Sequence, residues 1–94
     1  MNAACLVMTI LIWIFIPAIA AQSQCEIIVN NGEAAGAYVE VFEGSQRVFW
    51  GPTDSSSKCY PDLYKGKNYT INVKYNGRES STDKTADDHI YVWV

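Results

Sequence analysis

The sequence predicts an all-β fold, a small six- to seven-stranded antiparallel β-sandwich with one disulfide. Three observations carry this expectation. Beyond residue 21 the apolar side chains recur at every second position in short runs, and no segment keeps a 3.6-residue period. Those runs are separated by Gly, Asn, Asp, Ser and Pro, the residues that reverse a chain. Finally, three cysteines become an even pair once the N-terminal segment is set aside. Short strands without helices bury their apolar faces by packing sheet on sheet, as a sandwich or a small barrel.

The chain divides into a leader, 1–21, and a domain, 22–94. No charged side chain precedes Glu26, although the protein has 7 basic and 10 acidic residues and a net charge of −3. The run from Leu6 to Ile16 is interrupted only by Thr9 and has the length of a signal-peptide h-region. Pro17 ends that run, and Ala18-Ile19-Ala20 has the small-x-small pattern of a cleavage site. No Lys or Arg precedes it, and about 19 apolar residues also suffice to span a bilayer, so a retained anchor is the alternative. Both readings place the domain outside the cytosol, secreted in the first case and with no membrane attachment after cleavage.

Export gives the cysteines a meaning. Cys5 leaves with the leader, and Cys25 and Cys59 are expected to pair in an oxidising compartment. A bridge across that loop is worth about 4 kcal/mol on the loop-entropy estimate. That is a large fraction of the roughly 5 to 15 kcal/mol that stabilises a domain. There is no Cys-x-x-Cys motif to suggest exchange chemistry.

The first strand is read at Cys25 to Val29, where Cys25, Ile27 and Val29 share one face, and Asn30-Asn31-Gly32 supplies a turn with positive φ. A second runs from Ala37 to Phe42 before Gly44, with Ala37, Val39 and Val41 inward. A third covers Gln46 to Trp50 and stops at Gly51-Pro52. Thr53 to Ser57 reads as a turn whose side chains bond their own backbone. Cys59 to Tyr64 is a short extended piece, assigned to an edge because Pro61 donates no hydrogen bond. The clearest strand places Tyr69, Ile71, Val73 and Tyr75 on one face and ends in Asn76-Gly77, a hairpin signal. Arg78 to Asp88 is polar throughout and is expected to be an exposed, mobile connection, with at most a short pairing segment at its start.

The last strand, His89 to Val94, alternates Ile90, Val92 and Val94 with His89, Tyr91 and Trp93. From Ile90 onward it has neither charge nor proline, so as an open edge it would invite aggregation. It is therefore expected to lie centrally in a sheet, or to pair with a partner strand, including that of a second copy in a homodimer.

Catalysis and cofactors find little support. His89 is the only histidine, and no Gly-x-Ser-x-Gly elbow accompanies it. Zinc would lack ligands once both cysteines are bridged, and Asp83, Asp87 and Asp88 do not have EF-hand spacing. A chain of this size rarely forms the cleft that paired glycosidase carboxylates need. The protein is thus read as no enzyme, with no cofactor and no metal. Nucleic acid is excluded as a partner by the acidic balance.

The surface offers one candidate site. Tyr60, Tyr64, Lys65 and Lys67 are read as a contact surface for a protein or glycan, tyrosine supplying apolar area with a polar handle. The alternative is aromatic side chains packed in the sheet with lysines as edge charges. With acids gathered between Glu79 and Asp88, the charge distribution is expected to be dipolar. Asn68-Tyr69-Thr70 is an N-glycosylation sequon, and Asn68 is expected at a strand start, facing outward.

Gly36-Ala37-Tyr38-Val39-Glu40-Val41, Gly51-Pro52-Thr53-Asp54 and Leu63 to Val73 resemble the strand-and-turn pattern of the carboxypeptidase regulatory-like and transthyretin-like (prealbumin-like) sandwiches. Ser56 and Ser57 stand where that pattern has a glycine, and the Gly66 to Tyr69 spacing is one residue longer. The resemblance implies a seven-stranded Greek-key sandwich serving as a binding or stabilising module. In size, leader, strand count and the placement of Cys25 and Cys59, the chain is also similar to the MAX effectors of plant-pathogenic fungi. That likeness implies delivery into a host and binding of a host protein through a sheet edge or surface patch. The sequence thus leads to a small secreted, non-enzymatic interaction module, with a host-directed virulence effector second and a small enzyme inhibitor third.

Overall fold

A computed structural model describes residues 21–94, and the leader reading, apart from Ala21, lies outside the described residues. The described chain is all-β. Its strands are β1 (Ser23–Gln24), β2 (Glu26–Val29), β3 (Tyr38–Glu43), β4 (Gln46–Pro52), β5 (Lys58–Cys59), β6 (Asp62–Leu63), β7 (Asn68–Tyr75), β8 (Arg78–Thr85) and β9 (His89–Val92). They form a four-stranded sheet in the order β4-β3-β7-β8, a three-stranded sheet β5-β2-β9, and a small pair β1-β6.

The large sheet is antiparallel and consists of two hairpins joined side by side. At the β7–β8 turn Asn76 and Gly77 have φ of 50° and 76°, the left-handed pair of a two-residue hairpin matched to strand twist. The β3–β4 ladder shifts register between Val41 and Phe42, a bulge that re-aims the start of β4. β3 and β7 are the inner strands, and their alternation buries Val39, Val41, Tyr69, Ile71 and Val73.

The small sheet supplies the opposite side of the same core: Ile27 and Val29 from β2, Cys59 from β5, Ile90 and Val92 from β9. Cys25, Ala34, Ala37, Leu63 and Ala86 complete the core, with Val48 and Phe49 of β4 packed against it. β2 and β9 run parallel, Glu26 beside His89 through Val29 beside Val92. This departs from the all-antiparallel expectation. The first and last strands are far apart in sequence, so no tight turn fixes their relative direction, and parallel pairing needs only a long crossover.

Two loops are latched together behind the sheets. The Ser57 hydroxyl accepts from Ala34 N–H at 2.7 Å. The Thr53 hydroxyl accepts from Ala37 N–H at 2.9 Å and donates to the Ala34 carbonyl at 2.7 Å. The turn reading of this segment is therefore corrected in part. Asp54 bonds locally, accepting from the N–H of Ser56 and of Lys58, but Thr53 and Ser57 are buried and serve a different loop. Inside the fold those hydroxyls replace water for backbone groups that no strand pairs.

Arg78 to Thr85 is the largest correction. This stretch is an eight-residue strand paired with β7 along its whole length. It lies at the sheet margin with no fully buried side chain, so backbone pairing and polar rungs suffice and no apolar alternation is needed. Thr70 donates to Asp83 at 2.8 Å, and Thr85 to Asn68 at 2.7 Å.

β9 departs from the first of its two expected placements, the central one. It lies at the edge of its sheet rather than in the centre, paired on one side to β2. The extended reading of Cys59 to Tyr64 resolves into two short strands flanking Pro61, whose carbonyl accepts from Cys25 N–H at 2.9 Å.

Candidate interaction surface

The outer face of the small sheet is built by alternation. With Ile27 and Ile90 inward, Glu26 and Ile28 on β2 and His89 and Tyr91 on β9 point out, and Trp93 follows in the same phase. Lys58 of β5 stands across from Ile28, and Tyr91 on its other side. Ile28 is only 5% exposed although it lies on this face. Tyr91 and Trp93 are 51% and 60% exposed, and Tyr60 44%. Large apolar groups thus gather on one surface instead of being scattered singly.

Charge is organised around Glu26. Its carboxylate lies 3.2 Å from His89 Nδ1 and 3.6 Å from Lys58 Nζ. Beside it a concavity of about 300 Å³ is lined by Gln24, Cys25, Glu26, Tyr60, Asp88 and His89. Lys65 reaches Asp88 from outside the lining and forms an ion pair with it. The lysine ammonium hydrogen-bonded to Asp88 holds that carboxyl below the ordinary carboxylate range, and Asp88 in turn raises Lys65.

The four residues expected to form one contact surface divide into two groups. Tyr60 lines this concavity and Lys65 reaches one of its lining residues, Asp88, from outside. Lys67 instead lies 5.5 Å from the centre of the Tyr64 ring and pairs with Glu43 at the end of β3. Tyr64 is half-buried, its N–H donating to the Tyr69 hydroxyl at 2.9 Å. The ion pairs also correct the dipolar reading. Lys65 meets Asp88 and Lys74 faces Glu79, so the two signs interleave. Sequence spacing put these charges in separate segments, and folding brought the segments together.

Tyr91 and Trp93 were absent from the expected surface, though their shared parity with His89 is legible in the sequence. What the alternation alone lacks is that β9 is an edge strand whose outer face no other element among the described residues covers.

The outer face of the large sheet is chemically different. Trp50 is 54% exposed, Arg47 stacks 4.1 Å from its ring centre, and the same guanidinium bonds Glu40 at 3.0 Å. Across β3 and β7 this row continues through Glu40 and Asn72 to Ser81. Asn72 Oδ1 is buried without a hydrogen-bond partner among the described residues, beside a shallow concavity of about 330 Å³. Asn68 opens β7 and is exposed, as the sequon reading requires of its place.

The cysteines lie in the core. Cys59 is across from Ile27, and Cys25 N–H reaches the Pro61 carbonyl, so the two thiols are diagonal neighbours on one face of β2 and β5. The structure holds them as buried thiols, and the expected bridge is not formed in it. Burial raises both, Cys59 to about 12, which removes thiolate reactivity near neutral pH.

Comparison with protein-family models finds none that matches this chain, and comparison with curated proteins finds no match either.

Proposed function

We propose that this protein is a small secreted, non-enzymatic interaction module, a disulfide-tied β-sandwich that binds a protein or glycan partner through the outer face of its small sheet. The observation that carries the reading is Tyr60, exposed at the wall of a concavity edged by paired charges, with Tyr91 and Trp93 exposed farther along the same sheet face. Aromatic side chains bury large area on binding at little entropic cost, and the Glu26, Lys58 and His89 group can fix a partner's orientation. Lys65, joined to Asp88, extends the polar rim. Tyr64 and Lys67 flank it through their own stacked pair. In this reading Cys25 and Cys59 form a diagonal cross-strand bridge after export, with a small shift of β5 toward β2, since diagonal neighbours stand slightly beyond disulfide reach. Asn68 carries an N-linked glycan where the host cell can attach one, placed on the large sheet and away from the proposed contact face.

The test is capture from extracellular fluid or host extract, comparing the wild type with Tyr60→Ala and Lys65→Ala. Both side chains lie at the surface, so folding should be retained while affinity for a captured partner falls roughly tenfold or more. Undiminished affinity in the double variant would remove this face as the contact site.

An effector delivered into host cells is the second reading. It is favoured by the way both cysteines fit the buried core as thiols. A fold whose core accepts the reduced pair can persist in a reducing cytosol.

A further inference from the structure

The two larger sheets end in four edge strands, β4, β8, β5 and β9. Three are guarded against pairing with another chain. β8 carries Arg78, Glu79, Asp83 and Lys84 among eight residues. β4 is bulged opposite Val41 and Phe42 and ends in Gly51-Pro52. β5 is two residues long, with Pro61 soon after it. Short length, charge, proline and bulges are the devices that keep sheet edges from templating further strands.

β9, at four residues, is short but has no bulge, no proline and no Asp, Glu, Lys or Arg within it. It is regular along its ladder with β2, and from Ile90 to Val94 it contains no charge and no proline. The direction of its free hydrogen-bonding groups follows from the ladder. Glu26 N–H donates to the Asp88 carbonyl at 2.9 Å. In a parallel pair alternate residues turn both backbone groups to the same neighbour, so Asp88, Ile90 and Val92 address β2. Val94 keeps this phase, its N–H donating to Asn30 Oδ1 at 2.8 Å. The N–H and carbonyl groups of His89, Tyr91 and Trp93 therefore point to the open side.

We propose that this open edge pairs with β9 of a second copy of the chain, antiparallel about a two-fold axis through Tyr91, joining two small sheets into one six-stranded sheet. The proposal deepens the interaction-module reading and rests on it for the role of this face: Tyr91 and Trp93 serve the second copy, His89 stands at the boundary, and Tyr60 on the β5 side of the concavity is left for a different partner. The register is self-complementary. Tyr91 meets Tyr91 of the second copy, Ile90 meets Val92 on the core side, and His89 meets Trp93 on the outer side. Cross-strand pairs of aromatic and β-branched side chains are those that stabilise sheets best. Tyr91 and Trp93, the most exposed aromatic groups on this face, become covered.

Charge selects the direction. Asp87 and Asp88 immediately precede β9. Parallel pairing would set the acids of both copies side by side, whereas antiparallel pairing sends them to opposite ends of the interface. A closed two-fold contact also uses up both edges, which prevents continued addition of strands.

Sedimentation velocity of the purified protein between about 1 μM and about 1 mM tests the assembly, a range that brackets ordinary weak homodimers. The expected result is a mass that rises from monomer to dimer and stops there. Tyr91→Lys, which sets two like charges opposite each other on an exposed face, is expected to raise the dissociation constant roughly tenfold or more. Its circular dichroism should be unchanged. Tyr91→Pro removes an outward N–H that the monomer's own ladder does not use and should give the same dissociation. Trp50→Lys, on the guarded β4 edge, should leave the dimer intact. A monomer throughout the range, or a dimer weakened by Trp50→Lys but not by the Tyr91 variants, would overturn the proposal. Neither outcome touches the Tyr60 concavity, whose own failure is read from partner capture by Tyr60→Ala.

Discussion

The two sheets achieve burial by different means. In the four-stranded sheet each outer strand is joined to its inner neighbour by a tight turn, so most of the pairing is local, and the margins are charged or bulged. The three-stranded sheet is assembled from β2, β5 and β9, segments drawn from the beginning, middle and end of the domain. Its β2–β9 pair is parallel, and its β9 margin is apolar and bare. Hairpins close small loops and form early, while a β2–β9 pair requires nearly the whole domain to close. The large sheet is thus the locally paired half. The small sheet is the half closed over long range, and it carries the exposed Tyr91 on its margin.

Removing Ile90 to Val94 is the most severe way to break this comparison. It leaves β2 without its longer neighbour and strips Ile90 and Val92 from the shared core. Loss of cooperative unfolding is expected, monitored by thermal denaturation, and a soluble folded product would contradict the dependence of the small sheet on β9. Opening the proposed Cys25–Cys59 bridge comes next. Reduction is expected to lower stability by up to about 4 kcal/mol, the loop-entropy value for a bridge of this span. Mass under non-reducing conditions must first show two hydrogens fewer than the dithiol, and two free thiols on protein recovered from an oxidising medium would refute the bridge.

Within the large sheet, Ile71→Ala hollows the core from the better-supported side and should cost about 2 to 5 kcal/mol in denaturant unfolding. Ser57→Ala tests the latch instead. It leaves Ala34 N–H buried and unpaired, with an expected loss of about 1 to 3 kcal/mol. A smaller value would mean that the loop relaxes toward water. The smallest effect concerns Lys65 and Asp88, both exposed. Since the Asp88 carboxyl is held low, the pair contributes fully above the ordinary carboxylate range and is lost as pH falls through the folded-state value. Lys65→Met should move the Asp88 titration upward when followed by NMR.

The contrast between the sheets also explains what the sequence disclosed. β7 was legible because Tyr69, Ile71 and Val73 alternate without interruption and Asn76-Gly77 names its turn. The positive φ of Asn30, Asn31 and Gly32 was legible for the same chemical reason. β8 was not, because a margin strand paired through its backbone and through rungs such as Thr70–Asp83 needs no apolar face. The Thr53 and Ser57 latch was hidden because a hydroxyl in a turn has the same sequence signature whether it bonds its own backbone or a loop about twenty residues away. For the candidate surface, Tyr60 and Lys65 were found from composition near an extended segment. Tyr91 and Trp93 were missed because the alternation of β9 shows parity but not which strand lies at the edge. Direction and sheet order of β2 and β9 are long-range facts that no local pattern encodes.

Amide hydrogen exchange of the dilute protein tests most directly whether β9 presents an open edge. The account predicts slow exchange for the inward-facing amides of Ile90 and Val92, and fast exchange for Tyr91 and Trp93, which becomes slow only as concentration rises. Strong protection of Tyr91 and Trp93 at the lowest concentration, with no change on concentrating, would show that the edge is already occupied and would contradict it.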